Sequence, residues 1–150
     1  MKTTLKFALG SVAATLLLLT SEMAAAEQLE DDNYVVYYSA FNSTVITPEV
    51  AKAYELNRSR QRGLLNISVQ RKMPDGTYKP VVAQLKGFTG QLGGSEIPLD
   101  FKLITEGDAV YYLAEFFIDE GDRLNFDVDI KPTPDYPTMQ LDFDQTFFEN

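Results

Sequence analysis

The chain has 150 residues, 45% hydrophobic and 23% charged, with a formal net charge of -9 and no Cys, His or Trp. This is the ordinary composition of one globular domain, which argues against a disordered tail, a coiled coil or a multidomain enzyme. Without Cys there is no disulfide framework, thiolate nucleophile or zinc-thiolate site, and without His there is no Ser-His-Asp triad, imidazole metal ligand or ordinary near-neutral proton shuttle.

The first 26 residues read as a secretory signal. Lys2 and Lys6 flank the start, Phe7 to Leu19 is almost purely apolar, and Ala24, Ala25 and Ala26 supply the small residues that a signal peptidase accepts. The apolar run of about 13 residues falls short of the roughly 20 needed to span a bilayer. The expectation is cleavage before Glu27, no transmembrane segment after signal removal, and a periplasmic domain over residues 27–150.

Charge divides that domain unevenly. Glu27 to Ser95 carries 7 acidic and 8 basic residues, whereas Glu96 to Asn150 carries 14 and 3. An excess of this sign repels nucleic acid and anionic membrane surfaces, so neither is expected as a partner.

In chain order, Tyr34 to Phe41 is rich in Tyr and Val and predicts a strand. Thr47-Pro48-Glu49 is a helix start: Thr47 caps, Pro48 fits the first turn, and Glu49 suits the positive end of the helix dipole. The helix should reach about Tyr54 or Leu56 and stop at Asn57. Leu65, Ile67 and Val69 then alternate with Asn66, Ser68 and Gln70, the period of a strand with one wet face. Met73-Pro74-Asp75-Gly76 is turn chemistry, and Thr77 to Lys86 should pair back as a hairpin.

A Gly-rich connection leads to a strand from Ile97 to Ile104, then through Glu106-Gly107-Asp108 to a central strand, Ala109 to Ile118, apolar on both faces. After the Asp119–Asp122 turn, Phe126, Val128 and Ile130 should point inward. Past a Pro-bounded loop, Met139, Leu141 and Phe143 should do the same, opposite Asp142 and Asp144. Such a series predicts an all-β fold with one short helix: an immunoglobulin-like β-sandwich of about seven antiparallel strands, with a small barrel as runner-up. Tyr37, Tyr112, Phe116 and Phe143 are expected to fill the core in place of the missing Trp and disulfide.

Several clusters invite a chemical reading. Arg58, Arg60 and Arg62 recur every second residue, so an extended segment would set all three on one face, either gripping a carboxylate or phosphate or pairing with the acidic strands. With Asn42 they form the candidate binding set, on a contact segment spanning residues 41–62. Glu115 interrupts an apolar strand and should pair with an Arg. Asp119 and Asp122 in one turn and Asp108 in another would, if they converged, make a weak Ca²⁺ site. Asp127, Asp129, Asp142 and Asp144 would repel one another on adjacent strands, which implies separated strands or intervening cations. The aromatics Tyr34, Tyr37, Tyr38, Tyr111, Tyr112 and Phe117 exceed one inward face, so some should form an exposed strip or lie under the helix.

The run Phe41-Asn42-Ser43-Thr44, then Thr47-Pro48-Glu49-Val50-Ala51, Arg58-Ser59 and Asn66-Ile67-Ser68-Val69 resembles a family of small exported gammaproteobacterial proteins known only as a domain of unknown function. Glu106 to Tyr112 and Gln145-Thr146-Phe147 look like that family too. The resemblance implies a periplasmic, compact, β-rich protein and transfers no activity. With no cofactor expected, the sequence points to a non-enzymatic periplasmic binding or accessory protein that takes a protein, a peptide or a small anionic ligand through residues 41–62. A carboxylate-dependent glycan hydrolase and a Ca²⁺-binding sandwich are the alternatives.

Overall fold

Half-apolar strands bury their apolar faces by stacking sheets. In the computed structural model, which describes residues 26–149, two antiparallel sheets do so. The first contains β1 (Glu27–Glu30), β2 (Tyr34–Asn42), β3 (Arg62–Lys72), β8 (Ala109–Phe117) and β7 (Lys102–Glu106) in that order, with β4 (Tyr78–Pro80) also paired to β3. The second runs β10 (Met139–Thr146), β9 (Arg123–Lys131), β5 (Gln84–Gln91) and β6 (Ile97–Leu99). The expected all-β sandwich is present. Its strand number exceeds the expected seven because β1, β4 and β6 have only three or four residues each. Residues 1–25 of the expected signal lie outside the described residues.

Two expected strands are each divided between the sheets. Thr77 to Lys86 is not a simple hairpin arm: β4 pairs with β3 for three residues, and the chain then crosses to pair β5 with β9. Val81 makes the last backbone–backbone bond to the first sheet, its N–H to Val69 O at 3.0 Å, and Pro80, which has no N–H, precedes it. Ile97 to Ile104 divides likewise, β6 joining β5 and β7 joining β8.

The core lies where the sheets face each other. Val36, Leu65, Ile67, Val69, Phe126, Val128 and Ile130 are fully buried there, each contributing roughly 1.5–3 kcal/mol by leaving water. Phe126 stacks on Phe143 at 4.8 Å between centroids and meets Phe116 edge-on at 4.9 Å. Phe147, beyond the last strand, packs edge-on against Phe116 at 5.2 Å. Tyr37 does not join them. Its neighbour Tyr38 packs against this core and contacts Phe143 at 4.8 Å, leaving Tyr37 half-buried on the opposite face.

β8 is apolar on both sides because a second cluster covers its outer face. Tyr111, Leu113, Leu64 and Ile104 pack there under Ile46, Val50, Ala51 and Leu56. The covering segment includes a 3-10 turn (Ser43–Val45) and α1 (Pro48–Ala53), in which Thr47 Oγ1 accepts the Val50 N–H at 3.3 Å. The helix stops earlier than expected. Glu55 turns left-handed at φ 54°, Leu56 folds into the second cluster, and Lys102 Nζ donates to Tyr54 O at 2.8 Å. Asn66 of β3, expected on a wet face, is buried as well.

Candidate functional site

The segment from Ser43 to Gln61 folds back on the outer face of the first sheet, and Ser43 and Arg58 help hold it there. Ser43 Oγ donates to Ser59 O at 2.9 Å and accepts the Ser59 N–H at 2.9 Å. Arg58 Nε donates to Ile46 O at 2.9 Å, and a second guanidinium N–H reaches Thr44 O at 3.2 Å. Asn42 is buried, and its amide donates to Phe148 O, tying the C-terminal segment to the end of β2.

The three arginines therefore do not share a face. Every-second-residue spacing aligns side chains only in extended chain, and here Arg62 N–H bonds Ser59 O at 3.2 Å in a tight turn. Arg58 clamps backbone carbonyls, Arg60 is exposed in the turn, and Arg62 opens β3 with its guanidinium 3.8 Å from the centre of the Phe117 ring. None of the three pairs with an acidic strand: the ion pairs among the described residues are Lys72–Glu30 at 2.6 Å and Arg123–Asp144 at 3.1 Å. Nor does Glu115 pair with an Arg. Its two oxygens accept from Asn57, the backbone N–H at 2.6 Å and the side-chain amide at 3.3 Å, so amide donors replace the expected cation.

The acidic turns do not converge. Asp108 precedes β8 and Asp119 follows it, so the nine residues of that strand separate them by roughly 30 Å at about 3.3 Å per residue. Asp122 stays near Asp119, whose N–H it accepts at 2.9 Å, and its other oxygen takes Gln91 Nε2 at 2.7 Å. Among the described residues no group of three acidic side chains is placed to hold a metal ion.

What the fold brings together instead is one end of the sandwich. β3 begins there, β8 and β5 end there, and β6 and β9 begin there. Between them lies an open groove of about 520 Å³. Leu99, Phe116 and Leu124 form its buried floor, while Ile97 and Phe117 stand at its rim, 55% and 66% exposed. Arg62, Glu115, Asp119 and Asp122 add one positive and three negative side chains to the lining. A volume of this size suits a few side chains or a small ligand. Phe117 is the exposed member of the aromatic set that the sequence singles out, whereas Ile97 reads there only as one apolar residue in a strand; the pairing of short β6 with β5 sets Ile97 at this end of the sandwich.

A DUF4426 family protein of known structure from Pseudomonas aeruginosa PAO1 superposes with a TM-score of 0.71, at 30% identity over 83% of this chain and 96% of that one. FetP of uropathogenic Escherichia coli strain F11 shares the fold at 9% identity, covering 82% of this chain and 93% of its own with a TM-score of 0.57. A copper-bound variant of FetP gives 0.58 at 10% identity over 84% and 97%. No curated protein matches the chain. Residues 18–150 match the family described as a domain of unknown function (DUF4426), and the chain belongs to that family.

Proposed function

We propose that this protein is a non-enzymatic periplasmic binding or accessory protein that engages a protein or peptide through the groove end of its sandwich. The observation that carries the reading is the exposed pair Ile97 and Phe117, which flank a groove with an apolar floor while Arg62 lies on the Phe117 ring. Exposed aromatic and aliphatic side chains cost free energy in water, and rimmed by charge they mark contact surfaces. The signal-like leader supports export, as does the fold shared with FetP, which was produced in the periplasm. Among the described residues no helix is long and apolar enough to cross a membrane.

Copper belongs to the FetP variant. The present chain has no His and no Cys, and the described residues retain only Met73 and Met139 as soft ligands, so this donor set does not fit a copper centre. Both oxygens of Glu115 and both of Asp122 accept hydrogen bonds that shape the loops, which supports a structural role for these two carboxylates.

Affinity purification from periplasmic extract, comparing wild type with Phe117→Ser and with Arg62→Ala, tests this reading. Partners retained by wild type and lost by Phe117→Ser would support it; identical partner sets for all three proteins would overturn it.

A further inference from the structure

We propose that the groove takes an extended peptide stretch in which aliphatic side chains alternate with Lys or Arg. The inference rests on the binding function above and names the chemistry of the partner. Leu99, Phe116 and Leu124 make a dry floor that rewards aliphatic groups, and Ile97 and Phe117 extend it onto the rim. The rim charge is unbalanced. Three of the lining residues are acidic, Glu115, Asp119 and Asp122, and one is basic, Arg62, whose guanidinium already rests on Phe117. Both Glu96 and Asp127 line the smaller cavity adjoining the groove, across Thr89 and Gly90. In a groove open to solvent such an excess still attracts cations and repels anions, more weakly as salt rises.

The edge next to the groove limits how a peptide can enter. β6 is an edge strand of three residues, and its middle residue is Pro98, which has no N–H to offer an added strand. Recognition therefore depends on side chains seated in the trough and charges on its rim, not on extending the sheet. That makes the ligand's charge sign decisive.

The test uses two capped synthetic pentapeptides, Leu-Lys-Leu-Lys-Leu and Leu-Glu-Leu-Glu-Leu, titrated into the purified, isotope-labelled protein and followed by amide chemical shifts. The Lys peptide should shift the amides of Ile97, Glu115, Phe117 and Asp119, with binding weakened about threefold or more by Asp119→Asn and by about 0.5 M salt. Asp119→Asn keeps the backbone N–H that Asp122 accepts, so the turn is preserved. Equal binding of the Glu peptide would overturn the charge inference while leaving the binding function intact. No shift with either peptide up to about 2 mM, where even weak recognition registers, would overturn the inference outright; the binding function is judged separately by the partners that Phe117→Ser loses.

Discussion

Asp127 of β9 and Asp142 of β10 stand directly opposite one another on adjacent strands. Sequence reasoning expects such carboxylates to be kept apart or bridged by cations, and the pairing shows the strands in contact. Amide donors do part of the work instead: Asn125 Nδ2 bonds Asp142 Oδ1 at 2.7 Å and Asp144 Oδ1 at 2.9 Å, and Arg123 reaches Asp144 at 3.1 Å. The Asp127–Asp142 repulsion remains.

Asp142→Asn should therefore stabilise the protein. The substitution removes one charge and keeps an oxygen to accept from Asn125, so a gain of about 0.2–1 kcal/mol is expected from the cross-strand pair. Thermal melts at low and high salt check this: the variant should melt higher, and its advantage should shrink as salt screens the wild-type repulsion. A lower melting temperature at low salt would refute it.

Gly63 and Phe116 supply a second test, because they link the core to the groove floor. A Cβ at Gly63 would lie 2.3 Å from two Phe116 ring carbons, and Phe116 is held by Phe126 and Phe147. Gly63→Ala should cost about 1–3 kcal/mol in urea unfolding through overpacking. A neutral effect would mean that the aromatic cluster yields more easily than its edge-on packing implies.

Acid should weaken the junction between β1 and β2. Burial pushes the Asp31 carboxyl up, but the N–H groups of Asn33 and Tyr34, the Tyr136 hydroxyl and Lys72 outweigh it, and the net shift is below the ordinary 3.8. A depressed folded value means that the ionised form stabilises the fold above pH 3.8 and that this stability is lost as pH falls through the folded value. Asp31→Ala should cost about 1 kcal/mol at pH 7, with the gap from wild type narrowing as pH falls below the ordinary 3.8 and through the lower folded value. Urea melts at pH 7, 4 and 3 would show the convergence; a constant gap would contradict it.

Alkali should act on two tyrosines. Burial, reinforced by Glu106 beside Tyr54 and Glu27 beside Tyr38, pushes both phenols up to about 12 from 10.0. The unfolded chain then releases these protons first, so their contribution is complete below pH 10 and disappears as pH rises toward 12. Ultraviolet titration of the folded protein should lose its latest phenolate signals in Tyr54→Phe and Tyr38→Phe. Unchanged titration curves would count against both hydrogen bonds.

The sandwich was legible in the sequence because alternation of residues such as Phe126, Val128 and Ile130 is a local signal that burial must satisfy. The helix start was legible for the same reason: Thr47 and Pro48 act on their own turn. What the sequence hid depends on crossings. The switch of sheet after β4 and the splitting of Ile97 to Ile104 arise from partners far along the chain, and they create the groove. Arg58, Arg60 and Arg62 were misread as one face because periodicity presumes an extended backbone, whereas Ser43 and Ser59 fix a folded one. Of the candidate binding residues Asn42, Arg58, Arg60 and Arg62, only Arg62 lines the groove.

A partner seated at the groove end of the sandwich, as proposed, leaves the opposite end free. Photo-crosslinking in intact cells tests this most directly, with a photoreactive amino acid in place of Ile97 at the groove rim or of Asp108 in the turn at the far end of β8. Discrete adducts are expected at position 97, lost when Phe117→Ser is added, and none at position 108. Adducts at position 108 alone, or adducts at 97 that are indifferent to Phe117→Ser, would contradict it.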